Sequence, residues 1–348
     1  MKPVSLRPFL PRPALRRRLP REFRHYALQT SGVPTLQVFN DRIKHLQRER
    51  AASDAEASRR VDYLRDEVAN RLCERLLDIT RHFPSVLDLG ANACNIARAL
   101  TAPNPDSPAL STRLSHLTSA DTSHTFLHRD VDLPFNALLP AHTRTVLPPA
   151  DTPLPFKPQS FNAILSSLSL HWVNDLPSLL SQINHILKPD SPFIAAMLGG
   201  DSLFELRTSL QLADLDRRGG VSTHVSPLAD VRDMGGLLTK AGFKLLTVDV
   251  DDIIVDYPSV FALMTDLQAM GESNAALTAE KSGLRRDVLA ATEGIYRELH
   301  GNGGESVPAT FRIIYMIGWS EGDGQSKPLP RGTGQVNMKD ILGGGEIK

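Results

Sequence analysis

Residues 85–98, Ser-Val-Leu-Asp-Leu-Gly-Ala-Asn-Ala-Cys-Asn-Ile-Ala-Arg, constrain the fold more than any other stretch. Val86, Leu87 and Leu89 form a short apolar run that ends around Asp88 and Gly90, and Ile96–Leu100 then reads as helix. A strand, a tight turn and a helix in that order bring backbone N–H groups and a helix N-terminus to the carboxyl edge of a sheet. A nucleotide-type ligand can lie against them there. Loops of this kind usually carry three glycines. Here only Gly90 is present, and Asn92 and Cys94 stand at the other two places. A side chain at either position hinders close approach of backbone to ligand.

The 348 residues, 41% hydrophobic, suit one large α/β domain with additions. No apolar run approaches the ~20 residues that span a bilayer. Residues 1–24 hold eight basic residues and a single acid, Glu22, so the remaining chain is 31 basic to 38 acidic. That balance argues against nucleic acid as the main partner, because phosphate binding needs a positive face on the folded part. The basic head, with interspersed Leu and Phe, reads as a mitochondrial targeting segment over 1–30; the competing reading is a plain basic tail, favoured by its prolines. Two cysteines, Cys73 and Cys94, are too few for a disulfide framework or a structural zinc site.

Further along, Val38–Arg48 is a short basic segment that could close over a ligand, and Val61, Leu64, Val68, Leu72, Leu76 and Leu77 recur at helical spacing. Residues 101–113 form a Pro- and Ser-rich loop. Strands are expected at 114–121, near 143–147, at 160–167, 192–198, 243–250 and 309–319, with helices between and mostly helical additions over 258–300. The chain from 38 to 320 therefore reads as a doubly wound, mostly parallel seven-stranded α/β sheet with an antiparallel edge strand, followed by a mobile tail from 321 to 348. Asp121 ends the second strand, where an acid either grips ribose hydroxyls or caps the following turn. Ser167, His171 and Trp172 follow the fourth strand toward the crevice, as site residues or as packing. Asp175 reads as a helix N-cap, and Ser202-x-x-Glu205 as a capping box.

These motifs carry a resemblance. Val86–Arg98, Leu154-Pro-Phe and Leu187-Lys-Pro-Asp190 resemble the class I S-adenosylmethionine-dependent methyltransferases of the ubiquinone and biotin biosynthesis type. Ser166–Pro177, Gly199-Gly-Asp201, Phe204–Arg207, His224-Val-Ser-Pro227 and Met270-Gly-Glu-Ser-Asn274, among other runs, look like the mitochondrial complex I assembly factor five family. The resemblance implies S-adenosylmethionine (S-adenosylhomocysteine) as cofactor, held by Asp88, Gly90, Asn92, Asp121, Asp151 and Ser167. It departs from the usual pattern at Asn92, at Cys94, at Asn162 and at Ala150, which leaves Asp151 one place late. It also implies a matrix protein peripheral on the inner membrane, working with other assembly factors. Its partner would be an iron–sulfur subunit of complex I near the quinone site, and its reaction hydroxylation of an arginine there.

An arginine substrate wants carboxylates and an aromatic face, since guanidinium pairs with acids and stacks on rings. Trp172, Asp175, Asp201 and Glu205 are the candidates, with His171 or His224 as base. S-adenosylmethionine supplies no oxygen atom, so hydroxylation needs a further oxidant. No convincing metal set stands in the sequence; His128-Arg-Asp130 is its one His-x-Asp, on an expected surface helix. Two other readings stand beside this one. An ordinary methyltransferase acting on a protein or small molecule needs only the cofactor pocket, whereas a non-catalytic assembly chaperone would have kept the fold and lost the site.

Overall fold

The computed structural model describes residues 37–103, 108–149, 152–279, 283–303 and 306–325. The basic head, Asp151 and most of the tail lie outside them. Three helices come first: α1 (Asp41–Ser53), α2 (Ala55–Arg60) and α3 (Tyr63–Leu77). The alternating part follows: β1 (Phe83–Leu89), α4 (Asn95–Thr101), β2 (Leu114–Asp121), α5 (His124–His128), β3 (Ala141–Val146), β4 (Ala163–Ser167), α6 (Leu176–Ile186) and β5 (Pro192–Leu198). The chain closes with α7 (Phe204–Arg218), α8 (Val231–Lys240), β6 (Lys244–Tyr257), α9 (Val260–Met270), α10 (Arg286–His300) and β7 (Val307–Trp319).

The seven strands run in the order β3-β2-β1-β4-β5-β7-β6. Pairing is parallel from β3 to β5, and β7 runs antiparallel to both β5 and β6. The order reverses beside β1, so the crevice for a ligand lies at the carboxyl ends of β1 and β4. Both faces are covered. Val68, Leu72, Phe83, Leu117 and Tyr296 belong to one apolar layer, while Leu87, Ile164, Leu180, Phe193 and Met234 belong to the other. Strands buried on both sides read as continuous apolar runs, which is why β4 and β5 are legible.

Four expectations change. The apolar stripe from Leu64 to Leu77 is one helix, α3, but Val61 lies outside it as the C-cap of α2, because the chain breaks at buried Asp62, which pairs with Arg129 and Arg98. Strand β6 runs on to Tyr257, because Asp249, Asp251 and Asp252, which look like a strand end, are paired with Arg75, Arg71 and Arg312. Ser202 and Glu205 do not form a capping box. Leu203 opens α7 in a left-handed conformation with no side-chain cap, and Ser202 Oγ donates to Arg312 O at 3.0 Å while Glu205 accepts from Thr310. Finally, Asp130 is not on a surface helix: it is buried and paired with Arg129 and Arg59, and His128 Nδ1 donates to His124 O.

Candidate functional site

The turn after β1 keeps the backbone of a glycine-rich loop with only the first of its three glycines. Gly90 has φ +72°, and a Cβ there would come within 2.0 Å of Ser169 Oγ. Asn92 and Cys94 are also left-handed, at φ +50° and +60°. That conformation costs an ordinary residue roughly 1–2 kcal/mol, less for Asn, whose side chain can bond locally. Asn92 Nδ2 does so, donating to Gly90 O and to Ser167 O at 3.1 Å.

Asp88 lies at the carboxyl end of β1, fully buried, and neither carboxylate oxygen has a hydrogen-bond partner. Burial, with the neighbouring Asp121 charge, pushes its carboxyl well above the usual range. Ser167 Oγ at the end of β4 and His171 Nδ1 are also buried without a partner. Buried polar groups are nearly always bonded. Three orphans at the ends of adjacent strands therefore fit a polar ligand, with Asp88 suited to an ammonium group. Asp121 differs. Its Oδ1 accepts from Ser123 N at 2.8 Å, and its Oδ2 accepts from Asn92 N at 2.9 Å and Arg48 Nη2 at 2.8 Å.

Arg48 belongs to α1, the segment expected to close over a ligand, which is a helix laid across the crevice. Asn40 caps it, and only Lys44, Ala51 and Ala52 of its 13 residues are buried. One turn before Arg48, Lys44 Nζ sits 3.2 Å from the centroid of the Trp172 ring and donates to Gly271 O (3.1 Å) and Ser273 O (2.7 Å). Burial lowers the Lys44 pKa to about 7, against the pull of Glu272.

Glu272 joins the residues that follow β4. Trp172 Nε1 donates to Glu272 Oε2 at 2.7 Å, His171 Nε2 lies 3.2 Å from the same oxygen, and Arg65 Nη2 donates to Oε1 at 3.2 Å. Burial works against its charge, but His171, Lys44 and Arg65 outweigh it and hold the carboxyl well below the usual range. The other two residues read as catalytic are elsewhere employed. Asp175 accepts from Ser178 N and caps α6, as its position before Pro177 suggested. His224 Nε2 is 2.6 Å from the fully buried Asp214, and with Arg207 and Gln211 it lines a separate cavity of about 250 Å³. Asp201 pairs with Arg312.

Lys44 and Arg48 lie in the basic segment expected to close over a ligand, but nothing local singles out either of them, or Glu272, as a site residue. The only signal for α1 was Asn40-Asp41 as a start, since its buried residues are a lysine and two alanines. Glu272 lay inside a run of unusual residues with no derivable chemistry.

The parallel sheet, the turn at Gly90 and the orphaned carboxyl at the end of β1 define a methyltransferase-fold enzyme. A methyltransferase domain model matches residues 61–248, a fold that binds S-adenosylmethionine in general. The zebrafish (Danio rerio) arginine-hydroxylase NDUFAF5, mitochondrial, is 44% identical over 314 residues, covering 90% of this chain and 92% of that protein. Its human namesake (Homo sapiens) is 44% identical over 322 residues, covering 90% and 88%. A malonyl-[acyl-carrier protein] O-methyltransferase of Laribacter hongkongensis is 33% identical over 279 residues, covering 78% and 88%. The chain belongs to the arginine-hydroxylase NDUFAF5 family.

Proposed function

We propose that the protein is a mitochondrial enzyme that binds S-adenosylmethionine and hydroxylates an arginine side chain of a partner polypeptide. The partner is an iron–sulfur subunit of complex I near the quinone site, and the enzyme works as an assembly factor beside others, peripheral to the inner membrane on the matrix side. The basic head is its targeting segment. Family membership supports the reaction. The observation that supports the cofactor is Asp88, whose two bare, buried oxygens offer an ammonium group a partner and gain one themselves.

Asp88 would hold the amino-acid end of the cofactor, and Gly90, Asn92 and Ser167 would line its approach. Asp121 would meet the ribose once Arg48 has moved aside. The cofactor supplies an electrophilic sulfonium when bound; the oxygen atom must come from dioxygen, whose second atom leaves as water at the expense of two electrons from a reductant. The chain's own share is positioning and exclusion of water. Glu272 stays ionised in its cationic surroundings and orients His171 through Nε2, leaving Nδ1 as the nitrogen able to accept or return a proton.

Methyl transfer is the second reading, favoured by the domain match and the O-methyltransferase relative. The two are separated by incubating purified protein with the partner polypeptide, cofactor, dioxygen and a two-electron reductant and weighing the modified arginine peptide. A product heavier by one oxygen supports hydroxylation, whereas one heavier by a methylene rejects it. Saturable cofactor binding that Asp88→Ala abolishes is expected in either case. Its absence from a folded protein rejects both and leaves an assembly scaffold.

A further inference from the structure

The cage around Lys44 is unusual for a lysine. Lysine is among the residues least often buried, yet Lys44 is only 6% exposed. A helix needing only an anchor there is served more cheaply by an apolar side chain, because burying a charge is costly even when it is paired. What surrounds it is a cation site: an indole face at 3.2 Å, two carbonyl oxygens at 2.7 and 3.1 Å, and the Glu272 charge close by. The walls are themselves fixed. Trp172 is pinned through Nε1 to Glu272, and Phe39 packs edge-on against it with ring centroids 5.1 Å apart.

We propose that this cage, built from the Trp172 face, the Glu272 carboxylate and the carbonyls of Gly271 and Ser273, is the subsite for the substrate guanidinium, with Lys44 as its resident stand-in. The proposal rests on the arginine reading above. A guanidinium is planar, stacks on an indole and carries five donors, where an ammonium has three. It also keeps its charge where burial has drawn the lysine toward neutrality, so an incoming arginine competes well for the same walls.

The stand-in can leave. Helix α1 is held mainly by polar bonds: Lys44 in the cage, Gln47 Nε2 to Asn274 O, Arg48 to Asp121 and Glu49 to Thr125. Ile43 and Leu46 on its outer face are exposed, and its apolar anchor is the small cluster of Ala51, Ala52, Ala93 and Phe126. Lys44 and Arg48 are four residues apart, so one movement of the helix withdraws both cations. The subsite for the guanidinium and the acid for the ribose thus open together. The run from Met270 to Asn274 acquires a purpose in the same step, since this turn after α9 supplies one carboxylate and two carbonyls.

The test uses the full chain and calorimetric titration with N-acetyl-arginine amide, with the neutral N-acetyl-citrulline amide as control. Lys44→Ala is expected to bind the arginine probe at least tenfold more tightly than the unaltered protein, with no gain for citrulline. Adding Trp172→Leu to that variant should return affinity to the starting level. Lys44→Ser, which empties the cage as Lys44→Ala does and leaves a small polar side chain on α1, guards against loss of folding in one variant and should also bind more tightly. A folded variant of either kind with unchanged arginine affinity overturns the proposal, as does an equal gain for citrulline. Binding is read without turnover. Tight arginine binding alongside an unhydroxylated partner keeps the cage and rejects the reaction, whereas a hydroxylated partner with no effect of Lys44 does the reverse.

Discussion

Asp88→Asn separates what the fold requires of this position from what a ligand requires. The buried, unpartnered carboxyl holds its proton to a higher pH in the folded protein than in the unfolded chain. Above the unfolded value of about 3.9, the folded state therefore carries the extra proton, and stability falls as pH rises. One proton changes the unfolding free energy by about 1.4 kcal/mol per pH unit, and the fall continues until pH reaches the folded value. Asparagine has nearly the same shape and no such proton. Urea unfolding of both proteins between pH 4.5 and 6.5 should show the unaltered protein losing stability relative to Asp88→Asn as pH rises, by at most that slope. Lys44, drawn down to about 7 by burial, begins to titrate at the top of this window but is shared by both proteins and cancels in the comparison. The variant should thus be the more stable protein at neutral pH and the poorer binder of S-adenosylmethionine, a trade expected where a site is strained for function. Parallel stability curves across the window would refute the reasoning, because they would mean that Asp88 is solvated or paired.

Three further outcomes follow from the geometry. Gly90→Ala should destabilise by more than ~2 kcal/mol, since the left-handed φ and the contact with Ser169 add; Ser169→Gly in the same chain should recover only the contact portion, as read by thermal melts. Arg129→Met leaves the buried Asp62 and Asp130 without their central cation and should cost about 3–5 kcal/mol by denaturant titration. Arg48→Ala frees Asp121 and should raise the association rate of S-adenosylhomocysteine in stopped flow, whereas an unchanged rate would show that α1 does not guard the site.

The parallel half of the sheet was legible because strands buried on both faces and helices with one apolar face have strong periods. Local rules failed where a polar residue is satisfied by a distant one. Ser202 and Glu205 match a capping box perfectly in spacing, yet their partners are Arg312 and Thr310 on β7, more than a hundred residues away. The same limit hid the site. Asp88 and Gly90 announce themselves in a strand and turn, but Lys44, Arg48 and Glu272 gain meaning only when α1 and the turn after α9 meet over β4. Asp175 illustrates the converse: its cap on α6 is readable locally, from an Asp two residues before Pro177, and its bond is to the nearby Ser178 N.

The place of β7 between β5 and β6 bears on how the protein comes to be made. Strand β6 has β7 as its sole partner among the described residues, through a register from Lys244 to Tyr257. A chain emerging from the ribosome or through a membrane pore delivers β6 about fifty residues before that partner, and until then its 14 residues offer an open edge to any passing strand. A premature stop near Gly303 would therefore remove two strands from the sheet, although it deletes only one. It would also strip α7 of Thr310, leaving Glu205 buried with nothing to hold.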